Sequence, residues 1–250
     1  MNQTTEGGGE SAGVGAKKYF LSRGTVSTWW DLDEKGGSCG TGFAETLTAV
    51  LEGVDVKGKT VLDVGTGRGR FASAFSQAGA ASVVLLDLSR EMLESAMART
   101  SSAIPHGSFV LCDAESLCFK VGVFDVVSCL STLIHVPCPE LALSELMRVC
   151  KPGGTAVFDV NLSTVKPDED DFSVRGALGE GMPRELIKSW NPEMVREARP
   201  LVNSWTPDKA KSAAQSLGGK IAKEKRLKTS SPLLTHIFFV KKLYETGRET

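Results

Sequence analysis

Three glycines at alternate positions, followed downstream by acids at the ends of apolar runs, are the residues of this sequence best placed to do chemistry. The stretch Val61-Leu62-Asp63-Val64-Gly65-Thr66-Gly67-Arg68-Gly69-Arg70 passes from an apolar strand pattern through glycines 65, 67 and 69 into a helical pattern. Glycines let the backbone turn tightly and let a ligand approach the main chain to van der Waals contact. A dinucleotide loop of the form GxGxxG/A begun at Gly65 needs Gly or Ala at position 70, where this chain has Arg70. Asp63, two residues before the first glycine, would repel a pyrophosphate but not a cationic amino-acid group. The next apolar run ends in Asp87, placed to accept from ribose hydroxyls at the carboxyl end of a sheet. The third ends in Asp113-Ala114-Glu115, where a carboxylate can accept from the amino group of adenine.

Holding these acids at one edge requires a sheet, and the chain is patterned for one. From Lys59, short apolar runs (TVLDV, SVVLLD, SFVLCD, FDVVSCL, TAVFDV) alternate with helical patterns (FASAFSQAGA, SREMLESAMART, PELALSELMRVC). That alternation predicts an α/β fold, doubly wound around a mostly parallel sheet. Ser89 suits an N-cap and Gly79 the end of the helix before it. KIAKEKRL and LLTHIFFVKKL are separated only by KTSSP, too short for a crossover helix, so they should be antiparallel neighbours at one end of the sheet. Residues 1–16 are Gly/Ser/Thr/Glu-rich and read as a disordered tail ahead of a single domain, 17–250. Within it, 17–58 form a helical cap ending in FAETLTAVLEGV, after GGSCGTG loosens the chain; 59–160 form the core, and 206–250 the last helix and strand pair. The irregular stretch 161–205, with Phe172, Met182, Trp190, Met194 and Trp205, reads as an inserted lid over an acceptor.

Composition narrows the function classes. The chain has 250 residues, a net charge of −1 and 41% apolar residues, which is ordinary for a globular protein and argues against a coat for nucleic acid. No apolar run reaches the roughly 20 residues that span a bilayer, and the first residues lack the apolar core of a secretory signal. Six cysteines without CxxC spacing argue against disulfide frameworks and Cys-based zinc sites, and for a reducing cytoplasm.

From about Thr60 to Val160 the chain resembles the class I S-adenosylmethionine-dependent methyltransferases, in the small-molecule branch of ubiquinone and menaquinone biosynthesis. VLDVGTGRG is similar to their first motif, VVLLDLS to the acidic second, LCDAESLCF to the third, and RVCKPGG to the turn before the fifth strand. Trp29-Trp30-Asp31 is similar to a segment ahead of the core in some ubiquinone O-methyltransferases. The resemblance implies a Rossmann-like methyltransferase fold of seven strands with an antiparallel last strand, S-adenosylmethionine as cofactor and S-adenosylhomocysteine as product. It places Gly65, Thr66 and Gly67 at the methionine part, with Asp63 anchoring the ammonium group through a hydrogen-bond network. Asp87 would hold the ribose, Leu88 and Met92 would pack near the adenine, and Asp113, Ala114 and Glu115 would meet its edge. Leu130 would lie beside the methionine, and Tyr19, Arg23, Trp29 and Trp30 would cover the cofactor.

Methyl transfer to a phenol, enol or acidic carbon needs alignment and a general base. His135 follows the fourth strand and matches the second His of the Leu-His-His pattern of this branch, with Ile134 in place of the first. It is therefore the catalytic candidate; the alternative is that it caps the next helix or orders the loop. His106 and His236 read as structural, and Cys129 as a buried strand cysteine. The Asp168–Asp171 run reads as a solvated loop, so no metal site is expected. The basic run Lys220, Lys223, Lys225, Arg226 and Lys228 reads as a solvated sheet edge. The function expected is methylation at O, C or N of a small, partly apolar acceptor by a cytoplasmic enzyme, with a homodimer allowed. The alternatives are a tRNA or protein methyltransferase and a non-catalytic cofactor-binding subunit.

Overall fold

β-Branched and leucine-rich runs of four to six residues cannot bury both faces unless helices cover each side of the sheet they form, and the chain folds in that way. The computed structural model describes residues 39–104, 107–163, 205–228 and 233–244. The elements are α1 (Cys39–Leu51), β1 (Thr60–Val64), α2 (Arg70–Gln77), β2 (Ser82–Asp87), α3 (Arg90–Thr100), β3 (Ser108–Leu111) and β4 (Phe124–Cys129). There follow a 3₁₀ turn (Leu133–His135), α4 (Pro139–Val149), β5 (Cys150–Ser163), α5 (Pro207–Ser216), β6 (Gly219–Lys228) and β7 (Leu233–Lys242). The sheet has seven strands in the order β3-β2-β1-β4-β5-β7-β6. Strands β1 to β5 run parallel, and β7 is antiparallel to both β5 and β6. The expected doubly wound sheet with its antiparallel last strand is therefore the fold of this chain.

Alternation along each strand divides the core in two. Val61, Val126, Val157 and Ile237 face Ala49 and Val50 of α1, Ala72 and Phe75 of α2, and Ala96 of α3. Leu62, Val127, Phe158 and Phe238 face Leu143 and Leu146 of α4 and Ala210 and Ala214 of α5. The helix ends are closed by the expected residues. The Ser89 hydroxyl accepts the Met92 N–H at 3.4 Å to cap α3, and Gly79, at φ 92°, leads out of α2. Glu145 and Arg148 on α4 tie down the segment after β3. Glu145 accepts the Leu117 N–H at 2.7 Å, and Arg148 donates to the carbonyls of Leu117 and Phe119 at 2.8 Å each.

The structure shifts several boundaries. Helix α1 begins at Cys39, inside the stretch read as loosening the chain, and packs Phe43 edge-on against Phe71 with the Arg70 guanidinium over its ring. Tertiary packing outweighs the weak helix propensity of glycine there. β3 stops at Leu111, before the acid it presents, because the chain turns at once into a tight reversal at Asp113–Ser116. Trp205, taken from sequence as part of the lid, is 6% exposed and packs against Phe158 in the α4–α5 core, just ahead of α5. The tail 1–16, cap residues 17–38 and most of the lid, with Phe172, Met182, Trp190 and Met194, lie outside the described residues. So do Tyr19, Arg23, Trp29 and Trp30.

A core tryptophan and a lid tryptophan respond differently to truncation. Trp205→Ala should cost about 3–5 kcal/mol of unfolding free energy by urea titration. Unchanged stability with lost turnover would return Trp205 to the lid.

Candidate functional site

In a parallel sheet, ligands bind where the strand order reverses, outside the carboxyl ends of the strands. Here that point lies between β1 and β4. The chain leaves β1 through Gly65, whose φ of 68° suits glycine and whose missing Cβ would run into the Thr132 side chain arriving from β4. The Thr132 hydroxyl donates to the Gly65 carbonyl at 3.2 Å, closing the floor between the two strands. Gly67 differs: its φ is 53°, and a Cβ built there would meet nothing within 4 Å. Protein packing leaves that space clear, and it opens into a cleft.

Asp87, at the end of β2, organises the cleft. Its Oδ2 accepts the Gly67 N–H at 2.9 Å and its Oδ1 accepts the Ser89 N–H at 2.9 Å. Burial pushes its carboxyl up from the ordinary value, and the amides of Ser89, Gly67 and Leu88 oppose that rise. A carboxylate offers about four acceptor positions, so acceptor capacity is left for a ligand hydroxyl. Leu88 and Met92 line the apolar wall beside it, and Asp113 and Ala114 line the next. The Asp113 carboxylate is braced by the Glu115 N–H at 2.9 Å. On the β4 side, Ser131, Thr132, His135, Val136 and Pro137 complete the cleft.

Gly65, Gly67, Asp87, Leu88, Met92, Asp113, Ala114 and His135 thus come together in one cleft. Asp63, Thr66, Glu115 and Leu130 do not line it. Leu130 is buried among the apolar residues beneath α1–α3. The Glu115 carboxylate turns away to accept the Cys138 N–H at 2.6 Å at the start of α4. Asp63 lies beneath the loop, 2% exposed, accepting the hydroxyls of Thr66 at 2.7 Å and Ser128 at 2.6 Å. Arg23 and Trp30 lie outside the described residues.

Sequence reasoning took Leu130 and His135 from the segment after β4 but missed Ser131, Thr132, Val136 and Pro137, which line the cleft beside His135. Ser131 adopts φ 54°, a left-handed conformation costing a non-glycine residue of order 1–3 kcal/mol. Its N–H is held at 2.8 Å by Oδ1 of Asp159, a β5 carboxylate that is 1% exposed. The Ser-Thr pair straight after the fourth strand was the available signal; the backbone strain was not. Cys129 is fully buried, and burial drives its thiol well above the ordinary value, with the Asp159 and Asp63 carboxylates adding.

Residues 62–158 match the family model described as a methyltransferase domain. Over that stretch the chain is similar to methyltransferase domains. A ubiquinone biosynthesis O-methyltransferase of Vibrio parahaemolyticus is 32% identical over 143 residues, covering 56% of this chain and 60% of that protein. This chain therefore spans less than two thirds of that curated relative. The crystal structure of magnesium protoporphyrin IX methyltransferase from Synechocystis PCC 6803 with bound S-adenosylmethionine superposes with a TM-score of 0.63 at 17% identity, covering 93% of this chain and 98% of that one. The cyclase SpnF superposes with a TM-score of 0.61 at 15% identity over 80% of each chain. At these identities the structural likeness speaks for the fold alone. The sequence likeness is to ubiquinone biosynthesis O-methyltransferases, over part of their length.

The buried acid of the domain gives a test of pH. Burial raises the Asp63 carboxyl from 3.8 to about 6, against the pull of the Ser128 and Thr66 hydroxyls and with a small push from Asp87. Between those values the folded chain holds more protons than the unfolded one, so stability is full below the window and falls as pH rises through it. Relative to Asp63→Asn, the wild type should lose up to roughly 3 kcal/mol between pH 4 and pH 7. Urea unfolding of both proteins across that range checks this, and a gap independent of pH would overturn it.

Proposed function

We propose that this chain is an S-adenosylmethionine-dependent methyltransferase that methylates O, C or N of a small, partly apolar acceptor. The observation carrying the reading is the Asp87 carboxylate, fixed by two backbone amides at the switch point, beside a glycine whose missing side chain opens the cleft. Those residues fit the cofactor: a diol acceptor at Asp87, an apolar wall at Leu88 and Met92, and a polar edge at Asp113 and Ala114. When bound, S-adenosylmethionine supplies a methyl group activated by its sulfonium and leaves as S-adenosylhomocysteine.

The chain's own residues would then bind and orient. Asp87 would hold the ribose hydroxyls, and Gly65 and Gly67 would lie against the methionine part. Asp63 would act at one remove, through the hydroxyls of Thr66 and Ser128 that it orients, and Leu130 would support that floor from beneath. Glu115 would position Asp113 through its N–H. Arg23 and Trp30 would cover the cofactor. His135, on the β4 side of the cleft, is the group available to take a proton from the acceptor. Its backbone N–H also donates to the Thr132 carbonyl at 2.9 Å, which ties the same residue to the order of the loop.

A small acceptor is supported over a nucleic acid by where the positive charge lies. Lys225 and Lys223 of β6 are drawn to Glu52 and Lys211 to Glu224, on the sheet edge remote from the β1–β4 cleft. No helix among the described residues is long and apolar enough to cross a membrane. The free thiols of Cys112, Cys118, Cys129, Cys138 and Cys150 support a reducing compartment such as the cytoplasm. Residues 164–204 would close over the acceptor, and a homodimer is compatible with this arrangement.

Incubation with S-adenosylmethionine and pools of phenolic, enolic and amine acceptors, read by mass spectrometry for a methylated product, tests the whole reading. Two variants test its parts. Asp87→Ala should weaken S-adenosylhomocysteine binding at least about tenfold by calorimetry, since it removes charge-assisted hydrogen bonds. Unchanged affinity would remove Asp87 from the site. His135→Ala should slow turnover by about 10²–10⁴ with cofactor affinity intact. His135→Gln keeps a hydrogen-bonding side chain but cannot shuttle a proton, so near-wild-type turnover in that variant would leave His135 as a loop residue only.

A further inference from the structure

The wall of the cleft that meets Asp113 and Ala114 contains a cysteine with a second cysteine against it. After β3 the chain reverses sharply: Asp113 and Ser116 pair as an isolated bridge, and the Ser116 N–H donates to the Asp113 carbonyl at 3.1 Å. This returns residue 118 alongside residue 112. The Cys118 N–H donates to the Cys112 Sγ at 3.3 Å. The Cys112 thiol also reaches the Ser116 carbonyl at 3.3 Å. Glu145 and Arg148 pin Leu117 and Phe119 on either side, so the backbone of Cys118 is fixed where it faces Cys112. Cys118 is exposed, while Cys112 is half-buried and lines the cleft.

We propose that Cys112 and Cys118 form an oxidisable dithiol that a peroxide closes into a disulfide, and that closure reshapes the cleft wall and weakens cofactor binding. The second half rests on the cofactor reading of the cleft. The exposed Cys118 sulfur attacks one peroxide oxygen: an S–O bond forms, the O–O bond breaks, and the thiol proton leaves with the departing hydroxide as water. The Cys112 sulfur then attacks the Cys118 sulfenic sulfur: an S–S bond forms, the S–O bond breaks, and the second thiol proton leaves in a second water. Two electrons pass from the thiols to the peroxide. Burial, with the neighbouring Cys118 thiol, pushes the Cys112 thiol up from its ordinary value, which leaves the exposed partner to react first. Closure removes the Cys112 contact with the Ser116 carbonyl and turns the sulfur from the cleft wall toward Cys118. Of the other cysteines whose side chains the structure describes, Cys129 and Cys150 are fully buried, and Cys138 stands across Glu115 at the start of α4.

Trypsin places both cysteines in one peptide, residues 100–120, because Arg99 and Lys120 bound it and no Lys or Arg intervenes. In full-length protein treated with hydrogen peroxide, that peptide should become lighter by two hydrogens and recover with dithiothreitol. Cys118→Ser should show no such loss. S-adenosylhomocysteine affinity by calorimetry should fall about tenfold or more on oxidation, about 1.4 kcal/mol, and return on reduction. Cys118→Ser, whose side chain lies outside the cleft, should bind equally well before and after peroxide. Absence of the lighter peptide overturns the proposal, as does a disulfide that leaves affinity unchanged. Loss of affinity persisting in Cys118→Ser also overturns it, since oxidation then acts elsewhere, at Met92 for example. If the reduced wild type binds no S-adenosylhomocysteine, the cofactor reading fails, while the peptide mass still decides whether the dithiol closes.

Discussion

One carboxylate joins the two loops on which the cleft depends. Asp87 takes the Gly67 amide on one oxygen and the Ser89 amide on the other, so the loop after β1 and the start of α3 share a single anchor. The remaining geometry follows from that tie. With Gly67 held to β2, the turn keeps its left-handed glycines, and Thr132 can fill the place a side chain at Gly65 would occupy. Ser89, held at its amide, presents its hydroxyl to cap α3, which carries Met92 into the cleft wall. The anchor is costly to bury, as the upward pressure on its carboxyl shows. The two amides offset that cost while leaving acceptor capacity for a ligand.

A second carboxylate illustrates the division between binding a ligand and supporting what binds it. Asp63 accepts the Thr66 and Ser128 hydroxyls and does not line the cleft. Asp159 behaves similarly on β5, holding the Ser131 amide from below. Both acids underlie loops that line the site, one on each flank of the switch point. The loops that line the cleft are therefore held by buried carboxylates beneath them, whose burial keeps water from competing for those hydrogen bonds.

Much of this was legible in the order of residues, because strand and helix periods differ and the chain alternates them cleanly. Asp87 and Asp113 could be placed at strand ends from pattern alone, and the short KTSSP link was enough to make β6 and β7 antiparallel. What escaped reading depended on contacts distant in sequence. Trp205 looks like a lid aromatic until Phe158, 47 positions earlier, is seen beneath it. Asp63 and Glu115 could be picked out by charge, but their partners, the Ser128 hydroxyl and the Cys138 amide, lie 65 and 23 positions away. The left-handed turn at Ser131 leaves no mark on composition, since the strain is compensated by Asp159 on another strand.

The position of β7 carries a cost in time. It is made after β6 yet lies inside it, pairing with β5 from Thr155 to Ser163 and supplying Ile237, Phe238, Phe239 and Val240 to both halves of the core. During synthesis the parallel strands emerge first, and β5 waits as an uncovered edge for about 70 further residues to be added. At ribosomal rates of roughly 5–20 residues per second, that edge stays open for roughly 4–14 s. An unpaired strand with Val157 and Phe158 beside it is a template for any other extended chain. The nascent polypeptide is thus most vulnerable to aggregation in the interval between β5 and β7, when the cleft-lining residues have already been made.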